Sequence, residues 1–194
     1  MSNQKSNREM DFHDDSMRWT TVSSETIIKR PWLNVSRDKV KLPDGRENDE
    51  YYVLHYPTWI NVIAITNDGQ FIIERQYRHA IKEVSTEICA GCAEEGESPL
   101  EAAQRELQEE TGYAGGTWSE IMVVAPNSST MDNYCHCFLA EGVEKVSGQH
   151  LDATEDIHVF LVTRQEIFSM LCNGEFKQAM MIAPLWKYFA TSRP

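Results

Sequence analysis

The sequence predicts an α/β sandwich, a mixed β-sheet flanked by helices, together with a small N-terminal antiparallel β-sheet lobe. Three observations carry that expectation. Short β-rich runs separated by turn residues fill the chain as far as Cys89, an over-specified helix start stands at Ser98-Pro-Leu-Glu101, and two further helical segments follow the last strand. At 194 residues the chain suits one domain of ordinary size with a short extension, and it can bury a core without staples.

Residues 1–16 are polar and charged and are expected to form a disordered or loosely docked tail. Residues 17–57 read as the β lobe. Strands are expected over Trp19–Ile28 and Leu33–Leu42, then over Glu50–His55 after the turn residues Leu42-Pro-Asp-Gly-Arg46. Residues 58–194 form the main domain. Its clearest hairpin joins Trp59–Thr66 to Gln70–Tyr77 through Asn67-Asp68-Gly69, because Asp-Gly between apolar runs matches the twist of paired strands. A strand is expected at Val84–Cys89.

The following helix spans roughly Pro99–Thr111. Ser98 is its N-cap, Pro99 occupies the first helical position, and Glu101 completes a capping box. Ala102, Ala103 and Leu107 supply the buried face, and Gly112 stands where a left-handed residue ends a helix. Strands are expected at Trp118–Val124, Tyr134–Glu141 and His158–Val162, and helices at Arg164–Cys172 and Lys177–Ala190.

A formal net charge of −12 argues against nucleic acid as a partner, since binding a phosphate backbone needs clustered Lys and Arg. No apolar run approaches the roughly 20 residues that cross a bilayer, so no membrane contact by insertion is expected. Five cysteines and no secretory-type N-terminal segment point to a reducing cytoplasm. Cys89 and Cys92 are spaced like half a zinc site, with Cys135-His136-Cys137 as a tempting completion. Cys89 ends an apolar strand and the second pair lies on another strand, so free thiols are the expected state. The histidines have no nucleophile at a suggestive spacing, which argues against Ser/His or Cys/His catalysis.

The chemistry concentrates between Gly91 and Tyr113, in GCAEEGESPLEAAQRELQEETGY. On a helix Glu106 and Glu110 are four residues apart and Glu109 lies three beyond Glu106, so the three carboxylates share a face. Unpaired, they repel. An acidic helical face is most often solvated surface, yet here a glycine loop precedes it, and Arg105 with Glu97 reads as a brace. Hard oxygen ligands held rigidly in one place suit Mg²⁺, with Mn²⁺ as a substitute.

The segment resembles the signature of the Nudix hydrolases, matched at every charged and glycine position from Gly91 through Gly112. Tyr113 departs mildly from the aliphatic residue usual at the last position. The resemblance implies a Nudix-type α/β/α sandwich that hydrolyses the pyrophosphate bond of a nucleoside diphosphate linked to another moiety. By the same resemblance Glu106, Glu109 and Glu110 are metal ligands, the Ala90 carbonyl is a further ligand, and Gly91 allows the backbone to approach the metal. Glu109 and Arg105 are counted with the catalytic residues.

Upstream, Glu74-Arg-Gln-Tyr-Arg-His79 and Glu87-Ile-Cys-Ala-Gly91 resemble the ADP-ribose pyrophosphatase branch. Arg78 is similar to an arginine that contacts substrate phosphate there, with Arg75 the weaker candidate. The branch often has Leu-Pro where this chain has Ile88 and Cys89. It has a Ser-Pro-Gly-like loop where this chain has Ala125, Pro126 and Asn127, so Pro126 alone is retained. In that branch the N-terminal sheet resembles a dimerisation lobe that lends aromatics to the partner's base pocket, which implies a homodimer. Trp32 or Tyr51 would stack on the base. The general base is expected in Leu151-Asp-Ala-Thr-Glu-Asp156, with Glu155 first and Asp152 or Asp156 as alternatives.

The favoured function is hydrolysis of ADP-ribose, a small-molecule nucleotide substrate, to AMP and ribose 5-phosphate. Hydrolysis of a nucleotide sugar such as GDP-mannose uses the same machinery. A non-catalytic ADP-ribose sensor ranks last, because it predicts eroded carboxylates and Glu106, Glu109 and Glu110 are intact.

Overall fold

The computed structural model describes residues 15–192. The expected tail therefore lies outside the described residues except at its end, where Asp15–Met17 form a 3-10 turn rather than free chain. The chain separates into two compact units, one running to His55 and the other starting at Tyr56.

The first unit carries β1 (Thr20–Arg30), β2 (Leu33–Lys41) and β3 (Glu47–His55), an antiparallel sheet in the order β1-β2-β3. Gly45, with φ of 90°, supplies the left-handed residue that closes the expected turn before β3. Every residue of β1 is exposed. Trp32 sits in the β1–β2 turn with 88% of its surface exposed, and Tyr51 of β3 meets Trp19 edge to face.

In the second unit β4 (Trp59–Thr66), β5 (Phe71–Arg78), β6 (Glu83–Glu87), β7 (Cys89–Cys92), β8 (Tyr113–Val124), β9 (Cys135–Lys145) and β10 (His158–Val162) form one sheet. Its main path runs β10-β5-β4-β9-β8. The β4–β9 pair is parallel and the others are antiparallel, so the sheet is mixed. Alternation along β4 decides the layers. Ile60, Val62 and Ala64 meet Ala102, Ala103 and Leu107 on one face, while Ile63 and Ile65 meet Ile167, Leu171, Met181 and Leu185 on the other. The first set belongs to α1 (Pro99–Glu106) and the turn after it, the second to α2 (Arg164–Cys172) and α3 (Ala179–Thr191). The expected α/β/α sandwich is what forms.

Several boundaries differ from the sequence reading: β3 starts at Glu47 rather than Glu50, β8 at Tyr113 rather than Trp118, and β9 runs on to Lys145 rather than Glu141. Three further differences bear on the site. The run Val84–Cys89 is not one strand. The chain changes partner at the buried Ile88, with β6 pairing with β5 and β7 pairing with β4. The helix expected to reach Thr111 is α-helical only to Glu106 and widens into a π-helical turn over Leu107–Thr111, closed by left-handed Gly112 with φ of 72°. The Thr111 hydroxyl bonds to the Leu107 carbonyl inside that turn. Finally, α3 starts at Ala179 rather than Lys177, since the backbone of Gln178 is extended (φ −83°, ψ 119°) while its side chain bonds Glu87.

The Ser98 and Glu101 side chains each bond the other residue's backbone N–H, and Pro99 follows at the first helical position. Replacing Ser98 with Ala should destabilise the protein by about 1 kcal/mol. Urea unfolding would report this as a lower midpoint with an unchanged slope, and an unchanged midpoint would contradict the role of the cap.

Candidate active site

Strand β7 presents one edge to β4 and the other to the acidic helix. The N–H of Ala90 points to Glu110 Oε2 at 3.3 Å, and that of Cys92 to Glu106 Oε1 at 3.3 Å. The N–H and C=O of one strand residue point to the same edge, so the Ala90 carbonyl also faces the acidic side. Gly91 between them has no alternative, since a Cβ there would overlap the Glu106 side chain. The glycine makes room for a carboxylate against backbone.

Arg105 organises the outer half of the cluster. Its Nε and Nη2 reach the two Glu97 oxygens at 3.0 Å, Nη2 also reaches the Cys92 carbonyl at 2.9 Å, and Nη1 lies 3.0 Å from both Glu106 and Glu109. Those bonds and neighbouring charges raise the guanidinium pKa, while Arg105 lowers that of Glu97. The brace inferred from sequence is present, and it bridges two of the three expected ligands.

The three carboxylates are not gathered equally. Glu110 is buried and faces β7, whereas the Glu109 side chain is 44% exposed and turns to Arg105. The wider π turn means that the α-helical spacing behind the shared-face expectation does not hold past Glu106. Among the described residues the compact group of potential ligands is instead Glu74, Cys89 and Glu110, whose ligand atoms lie within 4.8 Å of one another.

Burial, and then the charge of Glu106, push the Glu110 carboxyl up to about 8. Burial also raises Glu106, against the opposing pull of Arg105. Glu74 is raised well above the ordinary carboxylate range by burial first, then by the charges of Glu110 and Glu87, and burial likewise raises the Cys89 thiol. Carboxylates crowded in this way fit a divalent cation, because the cation supplies the positive charge that the interior lacks.

Arg78 ends β5 and grips Glu87 on β6 in a fork, Nε to Oε1 at 2.8 Å and Nη2 to Oε2 at 2.5 Å. Glu87 is fully buried and also accepts from Gln178 at 2.8 Å and Gln76 at 3.3 Å. Arg78 stays 39% exposed, so its guanidinium is aimed while one side remains open. Arg75 sits one pair from this fork, opposite Thr86 on β6 and His158 on β10.

Glu155 lies in the loop before β10, where its carboxylate accepts the Asp152 N–H at 2.9 Å, and its charge is felt at Glu110. Pro126 is half-buried, just before a turn held by Asn127. Trp32 and Tyr51 belong to the first unit. Sequence reasoning passed over Glu74, Glu87 and Gln178 as site residues. Glu74 alone left a signal, as a charged residue at an apolar-face position two after Ile72.

A description of the nucleoside diphosphate sugar hydrolase N-terminal domain matches residues 19–54, and one of the NUDIX domain matches residues 55–184. The chain is 30% identical over 165 residues to an ADP-ribose pyrophosphatase of Bacillus subtilis (strain 168), covering 84% of this chain and 89% of that protein. It is 33% identical over 147 residues to a methanol dehydrogenase activator of Bacillus methanolicus, covering 75% and 79%. A solved ADP compounds hydrolase shares the fold with a TM-score of 0.77 at 20% identity, over 89% of this chain and 92% of that one. With the NUDIX domain matched over most of its length and its carboxylates gathered at the edge of β7, the chain belongs to the Nudix family and is a Nudix hydrolase.

Proposed function

We propose that this Nudix hydrolase cleaves ADP-ribose to AMP and ribose 5-phosphate, with Mg²⁺ as its cation. The observation that carries the reaction type is the buried carboxylate cluster along the outer edge of β7, braced by Arg105. The substrate reading leans on the relative named ADP-ribose pyrophosphatase and on the Arg78–Glu87 fork. Glu106, Glu109 and Glu110 with the Ala90 carbonyl would hold the cation, and Mn²⁺ could replace Mg²⁺. When bound, the cation neutralises the diphosphate and makes water a competent nucleophile near neutral pH.

The chain's own residues do the rest. Arg78 binds a phosphate oxygen through the part of its guanidinium not spent on Glu87. Arg105 keeps Glu109 and Glu106 from swinging into solvent, so that both carboxylates stay where they would hold the cation. Glu155 accepts the proton of the attacking water, with Asp152 and Asp156 in the same loop as alternatives. The water oxygen joins one phosphorus as the bridging P–O bond breaks. Trp32 or Tyr51 would stack on adenine bound by the second copy of the chain in the homodimer, and Pro126 would border the substrate. The exposed β1 strand, with Val22, Ile27 and Ile28 uncovered, supports a homodimer built through the N-terminal sheet. Five free thiols fit a reducing cytoplasm.

Assays with Mg²⁺ should release AMP and ribose 5-phosphate from ADP-ribose in preference to cleaving GDP-mannose, and Glu110→Gln should lower kcat by about 10²-fold or more with the fold intact. Equal turnover of GDP-mannose would sink the substrate, and near-normal activity of Glu110→Gln would sink the cation assignment. Arg78→Ala should raise KM by about tenfold or more through loss of a charge-assisted bond, with a smaller change in kcat. A change confined to kcat would argue that Arg78 does not bind ground-state substrate.

The Glu110 carboxyl stands at about 8 in the cation-free chain against an ordinary 4.5. Folded protein then binds more protons than unfolded between those values, so this stabilising contribution is complete below about 4.5 and lost as pH rises toward 8. A cation offsets the loss because it needs the ionised form. The rise in thermal midpoint on replacing EDTA with Mg²⁺ should therefore be larger near about pH 8.5 than near about pH 6.5, and an equal rise at both would contradict the assignment.

A further inference from the structure

Glu74 sits on β5 two residues after Ile72, on the sheet face that packs against α1. It is 1% exposed, and no amide, hydroxyl or cationic donor reaches either of its carboxylate oxygens, which leaves only the facing Glu110 carboxyl to share a proton with it. Arg78, the arginine in register with Glu74 on the same face of β5, is committed to Glu87. A buried carboxylate without a donor is unfavourable, and this one points at a second buried carboxylate and a buried thiol. The three potential ligand atoms, on Glu74, Cys89 and Glu110, lie within 4.8 Å of one another. Around a tetrahedral cation bound by oxygen and sulfur at about 2.0–2.3 Å, neighbouring ligand atoms stand about 3.5 Å apart, so rotamer adjustment of under about 1.5 Å closes the site.

We propose that Glu74, Cys89 and Glu110 form an inner cation position, joined to the outer carboxylate centre through Glu110, that takes a thiophilic divalent ion of the Co²⁺ or Zn²⁺ kind. The proposal rests on the reading of Glu110 as a cation ligand and adds two residues that this reading does not use. Thiolate with two carboxylates favours such an ion over Mg²⁺, which prefers six oxygens. As the ion binds, the Cys89 thiol proton and whatever protons Glu74 and Glu110 hold between them leave to solvent, so that binding is accompanied by proton release. Glu110 then bridges the two positions, one oxygen toward each.

The test uses the full chain, stripped of metal and titrated with Co²⁺ alone. A sulfur-to-cobalt charge-transfer band in the near ultraviolet is expected. Cys89→Ser should abolish it, Glu74→Gln should weaken Co²⁺ binding by about tenfold or more, and the double variant Cys92→Ser/Cys172→Ser should retain it. Absence of the band in the unmodified chain, or its loss in the double variant, overturns the inner site without depending on whether Cys89→Ser folds. Persistence of the band in folded Cys89→Ser overturns it as well. Calorimetric binding of Mg²⁺ separates the two readings. If Mg²⁺ binds and no band appears, the inner site alone fails, whereas failure of both cations to bind removes the outer centre too.

Discussion

Carboxylates forced together beneath the outer edge of β7 are the constraint that the rest of the site answers. Glu74 and Glu110 are buried, and Glu106 lies against backbone that only glycine permits at position 91. An ionised carboxylate taken from water loses solvation that its surroundings must replace. Three replacements are visible. Backbone N–H groups of β7 point at Glu110 and Glu106, Arg105 spans Glu97, Glu106 and Glu109, and burial raises the Glu110 carboxyl so that it keeps its proton more readily. The capping box at Ser98, the π turn and left-handed Gly112 each fix one end of the segment that keeps these groups in register.

Two arginines divide the electrostatic work. Arg105 has partners that are partly exposed, and it acts within the acidic centre by pinning two carboxylates with one nitrogen. Arg78 has a single partner, Glu87, which is fully buried and held from behind by Gln178 at the start of α3. A fork anchored on a buried charge has little rotational freedom left to lose, so the Arg78 guanidinium is already oriented, the property that the proposed phosphate contact requires. Gln178 is the residue before α3 and, with its side chain on Glu87, makes no side-chain cap for that helix.

What the sequence made legible was local. The Ser98 cap, the Asn67-Asp-Gly69 hairpin, the limits of α2 and the Arg105–Glu97 brace each depend on residues a few positions apart, and each is found. The Glu87–Gln178 bond spans 91 residues of chain, and Glu74 meets Cys89 and Glu110 only after β5, β7 and the π turn have been brought together. No spacing rule reaches that far. Glu106 and Glu110 do share the side that faces β7, while Glu109, beyond the point where the helix widens, turns to Arg105, a difference that α-helical spacing did not foresee.

Cys89 illustrates how a departure from pattern changes meaning once its neighbours are known. Beside Ile88 it read as a difference from the Leu-Pro of the ADP-ribose branch, and so as a question about substrate. Its side chain, however, lies in the core layer beneath α1, facing Glu74 rather than an open surface. A proline there would bring no thiol, and Glu74 would then face Glu110 with nothing soft between them. The two residues sit on different strands, β7 and β5, and make chemical sense only as a pair. The difference at position 89 therefore alters the interior beside Glu74 and Glu110, whereas Arg78 and the exposed Trp32, the residues proposed to meet substrate, both reach solvent.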